Sequence, residues 1–141
     1  MRKSCFIICV LSLLFFSCND NDIKSKLEQE SYQLTKEQLL KKEQKDPVFF
    51  LNISGKKRKN IVGQTVVTGT IFNKAAVAVF KDVDIKLSFY SKTKALLETD
   101  KETIFEMLEP GESKDFKTKY FTPKGTDSVS LQILGAKVVN R

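Results

Sequence analysis

The chain has 141 residues, with 24 Lys or Arg against 17 Asp or Glu, a formal charge of +7, three Cys, no His and no Trp. Without His it lacks the commonest general base and the commonest transition-metal ligand, and Ser-His or Cys-His nucleophilic catalysis is impossible. Carboxylate or Lys chemistry stays open on composition alone, but no motif supports it, so no catalytic residue, metal site or cofactor is assigned.

Residues 1–17 have the layout of a signal peptide. Arg2 and Lys3 form the basic start, Cys5 to Phe16 the short apolar run, and Ser17 the small residue before a cut. The run is about a dozen residues, short of the roughly 20 that a spanning helix needs. Polarity then jumps at Asn19-Asp-Asn-Asp22. Phe15-Phe-Ser-Cys18 resembles the lipobox of bacterial lipoproteins, with Phe15 where Leu is usual, a departure similar to the looser form in Bacteroidota. The resemblance implies acylation of Cys18, attachment to a membrane through its acyl chains, and an extracytoplasmic place at the outer membrane of a Gram-negative cell. Two or three chains hold a protein stably where one does not. Cys18 is also the one cysteine left after cleavage, so no disulfide is expected. Loss of Arg2 and Lys3 takes the charge from +7 to +5.

Residues 18–45 read as a polar linker. Its large aliphatics are few, and Glu, Gln and Lys dominate. Thr35-Lys-Glu-Gln38 has capping-box spacing, and Glu37 with Lys41 is a favourable pair. These predict a helix over 35–45, ended by Asp46-Pro47, with a looser stretch before it. The segment is read as a tether, with a partner-docking helix as the alternative. Asn19-Asp-Asn-Asp22 is similar to the acidic export tags of some surface lipoproteins, and equally a solvated spacer.

From residue 46 to 141 the period is two. Val48–Ile53 reads as a strand, Ser54–Asn60 as a turn, and Ile61–Asn73 as a second strand. In Lys81–Ser91, Val83, Ile85, Leu87 and Phe89 alternate with polar residues, which gives one buried and one wet face. Ala95–Met107, Ser113–Thr122 and a last strand through Val129, Leu131 and Ile133 follow. Glu109-Pro-Gly-Glu112 and Pro123-Lys-Gly-Thr-Asp127 turn the chain. The expected core is Phe50, Val67, Ile71, Val83, Ile85, Leu87, Phe89, Leu108, Phe116, Val129, Leu131 and Ile133. Six or seven strands at this spacing argue an all-β, immunoglobulin-like antiparallel β-sandwich, and periodicity leaves a barrel open.

Three stretches of residues 64–139 resemble the FxLYD-type domain, an immunoglobulin-like sandwich of envelope proteins. Gly69-Thr-Ile-Phe-Asn73 is similar to its Gly-x-Val-x-Asn stretch. Leu87-Ser-Phe-Tyr-Ser91 sits at its Phe-x-Leu-Tyr-Asp. Leu108-Glu-Pro-Gly-Glu-Ser113, followed by Phe116, matches its Leu-x-Pro-Gly-Glu turn and later aromatic. Leu87, Phe89 and Ser91 depart from the name-giving motif. The resemblance implies a fold and brings no catalytic residues.

Lys56, Lys57, Arg58 and Lys59 are a basic run between Gly55 and Asn60. They read as a solvated hairpin loop and as a candidate polyanion contact, with no aromatic inside the run to argue for nucleic acid. Glu98, Asp100, Glu102, Glu106, Glu109, Glu112 and Asp115 lack calcium-loop spacing and read as mixed surface charge. Phe49-Phe50 and Phe121 read as packing residues. The expectation is a lipid-anchored, non-catalytic envelope domain that binds a protein or glycan, or serves as an accessory subunit of an envelope complex. A polyanion-binding module using residues 56–59 is the alternative.

Overall fold

The computed structural model describes residues 20–139. The signal segment, Cys18, Asn19 and the side chains of residues 20–22 lie outside what is described. The chain divides into two compact units, residues 1–33 and residue 34 onward.

A single helix, α1, spans Asp20–Lys45. It begins well before the 35–45 expected, because nothing between residues 20 and 45 is Pro or Gly. Thr35 therefore lies inside the helix, and the capping box read there does not form. In the first unit, residues 23–33 are exposed on every side of the helix. Among the described residues no helix is long and apolar enough to cross a membrane.

The second unit begins inside α1. Asp46-Pro47, read as a helix stop, is also a helix start: Pro suits the first helical position and Asp the cap. The Asp46 side chain accepts from the Phe49 N–H at 3.3 Å, and one turn, α2, spans Pro47–Phe50. The first strand consequently starts at Leu51, three residues after Val48.

Six strands follow among the described residues: β1 Leu51–Lys59, β2 Thr65–Asn73, β3 Val79–Ser91, β4 Leu96–Leu108, β5 Ser113–Tyr120 and β6 Thr126–Val139. They form two antiparallel sheets, ordered β1-β2-β5 and β4-β3-β6. The fold is a β-sandwich and not a closed barrel. The β1–β2 turn lies at residues 60–64, where the Gly63 N–H donates to the Asn60 carbonyl and Gly63 takes φ +82°, as a hairpin turn ending in a left-handed residue requires. At Glu109–Glu112 the Glu112 N–H donates to the Glu109 carbonyl at 3.0 Å with Gly111 at φ +75°, the conformation that Pro-Gly favours at the turn centre.

This arrangement corrects the reading of residues 54–60. Lys56, Lys57, Arg58 and Lys59 are not in a loop: they pair with Thr68, Val67, Val66 and Thr65 as the second half of edge strand β1. A strand sends successive side chains to opposite faces, so consecutive cations need not crowd one another. Gly55 is not a turn residue either. A Cβ there would lie 2.6 Å from Leu131 of the facing sheet.

The core contains Val67, Ile71, Val83, Ile85, Leu87, Phe89, Leu108, Phe116 and Ile133 as expected, with Phe50, Val129 and Leu131 partly buried against it. Leu51, Ala75, Ala78, Phe80 and Ile104 belong to it as well. Ser88, on the face expected to be wet, is only 8% exposed, between Thr99 and Ser130 in register. Phe49 and Phe121 are exposed, contrary to their reading as packing residues, and Lys74 Nζ sits 4.5 Å above the Phe49 ring.

Two of the three stretches quoted for the FxLYD resemblance, Gly69–Asn73 and Leu108–Phe116, are in contact. Gly69 opposes Phe116 in register, and a Cβ on it would lie 2.6 Å from that ring. Asn73 is fully buried. Its Nδ2 donates to the carbonyls of Ala78 and Leu108 at 2.9 and 3.1 Å, its Oδ1 accepts from Ala75, and its carbonyl accepts from the Gly111 N–H. Asn73 is thus a joint between the end of β2, Leu108 of the facing sheet and the Gly111 turn, whereas Gly69 and Phe116 pack within the β1-β2-β5 sheet.

Candidate functional site

Strand alternation and register divide the basic run between two faces. On the outer face of the β1-β2-β5 sheet, Lys56, Thr68 and Lys117 stand in one row across the three strands, and Arg58, Val66 and Lys119 in the next. Neighbouring rows are about 7 Å apart along the strands, and outer strands about 10 Å apart across the sheet. Four cations therefore share one face, and all four are exposed. Among the described residues none of them forms an ion pair, since the two salt bridges there are Lys114–Glu112 and Lys137–Asp82. Lys117 and Lys119 are absent from the linear motif. The alternation Ser-Lys-Asp-Phe-Lys-Thr-Lys in β5 was the signal that could have found them.

Lys57 points the other way. It is half-buried, and its Nζ donates to the Thr126 carbonyl of β6 at 3.3 Å. An inward charge of this kind on an edge strand discourages pairing with another chain.

Beside the basic rows, Ser54, Thr70 and Asp115 form a third row. Thr70 Oγ1 donates to Asp115 Oδ1 at 2.6 Å. Between this row and the Lys56–Thr68–Lys117 row runs a shallow open groove of about 650 Å³, floored by Gly55, Gly69 and Phe116. Phe72, at the edge of exposure, stands one row further on between Asn52 and Ser113.

The carboxylates on β4 and the following turn do not converge. Among the described residues no three of His, Cys, Asp and Glu form a group that could hold a metal. Glu112 pairs with Lys114 at 2.8 Å and also accepts from the Glu109 N–H. The hydrogen bond with Lys114 is the main reason that the Glu112 carboxyl is held below the usual carboxylate range, and the same bond raises Lys114. Glu102 accepts the hydroxyl of Tyr120 across the gap between β4 and β5. Burial first, and then that carboxylate, push the Tyr120 hydroxyl well above the usual tyrosine range.

One charged residue was missed altogether. Glu43, near the end of α1, is 2% exposed. Its carboxylate accepts from three consecutive backbone N–H groups, those of Ala76, Val77 and Ala78, at 2.7, 2.9 and 2.7 Å. Its neighbours in sequence are all polar, and nothing in the helix pattern distinguishes it. The last part of α1 thereby belongs to the sandwich unit, with Leu40 packed against the core.

No protein-family profile matches the sequence, and no curated protein does. Among solved structures, a DUF1425 family member from Shewanella sp. pv-4 is similar over 62% of this chain and 79% of its own, at 14% identity and a TM-score of 0.46. The Salmonella enterica trimeric lipoprotein SadB is similar over 84% of this chain and 78% of its own, at 12% identity and a TM-score of 0.46. At these identities nothing about activity follows.

Proposed function

We propose that this chain is a lipid-anchored protein of the cell envelope, held through acyl groups on Cys18, whose FxLYD-like sandwich is a non-catalytic binding module for a protein or glycan. The observation that carries the anchor is the single boundary at Cys18, where a short apolar run meets Asn19-Asp-Asn-Asp22. The polar helix α1, exposed at residues 23–33, suits a tether. For the binding role, the support is one sheet face with four exposed cations that form no ion pair among the described residues. That face replaces the contiguous Lys56–Lys59 loop as the basis of the polyanion reading.

The anchor is tested by metabolic labelling with an alkyne fatty acid. The wild-type protein should be labelled and sediment with membranes, whereas Cys18→Ala should lose the label and be released. Labelling that survives in the variant would remove the lipoprotein reading.

A further inference from the structure

We infer that the groove on the outer face of the β1-β2-β5 sheet binds an acidic polysaccharide, with Lys56 and Lys117 holding its carboxylate or sulfate groups and Ser54, Thr68, Thr70 and Asp115 taking sugar hydroxyls. The inference rests on the extracytoplasmic reading above, which puts such polymers within reach of the domain.

The chemistry of the groove is mixed in a way that selects the ligand. Two lysines stand at opposite ends of one wall, with the Thr68 hydroxyl between them. The other wall carries two hydroxyls and a carboxylate, and the Thr70–Asp115 hydrogen bond fixes that carboxylate in place. A carboxylate accepts only, so Asp115 calls for a ligand that donates, and sugar hydroxyls do. Cations call for a ligand that is anionic, and charge-assisted contacts are the stronger ones. A polymer of acidic sugars satisfies both requirements at once. Arg58 and Lys119, one row further along the strands, extend the cationic surface past the groove, as a linear ligand can exploit. Phe72, on the opposite side, offers an apolar ring face to a sugar.

Other anions fit less well. An anionic bilayer is broad and flat: it cannot enter the groove, and it meets the Asp115 charge unfavourably. Single-stranded nucleic acid binds where aromatic platforms lie among the cations, and neither the Lys56–Thr68–Lys117 row nor the Arg58–Val66–Lys119 row contains an aromatic.

The test uses the purified full-length protein and five probes: heparin, polygalacturonate, uncharged dextran, phosphatidylcholine–phosphatidylglycerol vesicles and an oligothymidylate. Heparin or polygalacturonate should bind, with affinity falling as salt rises, and dextran should not. Lys56→Ser with Lys117→Ser should weaken that binding by about tenfold or more, which corresponds to about 1.4 kcal/mol. Lys24→Ser with Lys26→Ser removes the same charge from the exposed helix and should change it little. Asp115→Asn should weaken binding although it makes the face more positive. Equal losses from the two lysine pairs would show that net charge alone is read and would overturn the site. Unchanged or tighter binding by Asp115→Asn would overturn the hydroxyl assignment. Tighter binding to vesicles or oligothymidylate than to either acidic polysaccharide would overturn the ligand class. Each variant is first matched to wild type in melting midpoint, so that loss of fold is not read as loss of the site. Fatty-acid labelling at Cys18 is independent of every one of these outcomes, so the anchor and the groove stand or fall separately.

Discussion

The N–H groups of Ala76, Val77 and Ala78 all converge on the Glu43 carboxylate. Leaving a buried donor unsatisfied costs about 1–3 kcal/mol. Of the three amides the Ala78 N–H is the buried one, so Glu43→Ala should lower unfolding free energy by about 1–3 kcal/mol, read from the denaturant midpoint. Glu43→Gln keeps one acceptor oxygen and should lose less. Equal losses would show that packing of the side-chain stem matters and the carboxylate does not. Tyr120 gives a pH signature. Its hydroxyl titrates higher in the folded chain than the value of about 10 expected in the unfolded chain. Between the two values the folded state keeps a proton that the unfolded state has lost. The stability the group contributes is thus fully present below about pH 10 and is lost as pH climbs through the folded value. The stability difference between wild type and Tyr120→Phe should be constant at neutral pH and should shift against the wild type in alkali. A difference that stays flat past pH 10 would contradict the shielding of this hydroxyl.

At the scale of elements, β3 was the strand most legible in the sequence, because both of its inward and outward sets alternate without interruption from Val83 to Phe89. Leu87 is fully buried, so Leu87→Ala should cost about 2–5 kcal/mol. Ser88→Ala, at an 8% exposed position on the other face, should cost less than Leu87→Ala. Equal costs by thermal or chemical unfolding would mean a misread register. The strand is irregular where its pattern breaks. Asp82 takes φ +49° at a register shift, and Lys137 of β6 pairs with it at 3.0 Å. Asp is among the few residues that tolerate this conformation. β1 was misread because contiguous charge looks like a turn to any reading that counts residues in a row. Pairing with β2 turns the same four residues into alternate faces. Likewise Asp46-Pro47 fits both a helix stop and a helix start, and the sequence held no further signal to choose between them.

For the whole molecule, the two-sheet architecture followed from strand spacing and turn chemistry, whereas the candidate site did not. Lys117 and Lys119 lie about 60 residues from Lys56 and Arg58, and only the order β1-β2-β5 brings them to one face. Sheet order is a long-range property, and alternation within single strands carries no trace of it. The latch at Glu43 was hidden for the same reason, since its partners lie more than 30 residues downstream. It has a practical consequence. A chain trimmed at residue 46, where the period-two pattern of the sequence begins, is not this sandwich with an appendage removed. It is a sandwich with the amides of residues 76–78 turned loose toward solvent, free to trade their protons for deuterium, beside the Asn73 joint that holds the two sheets together.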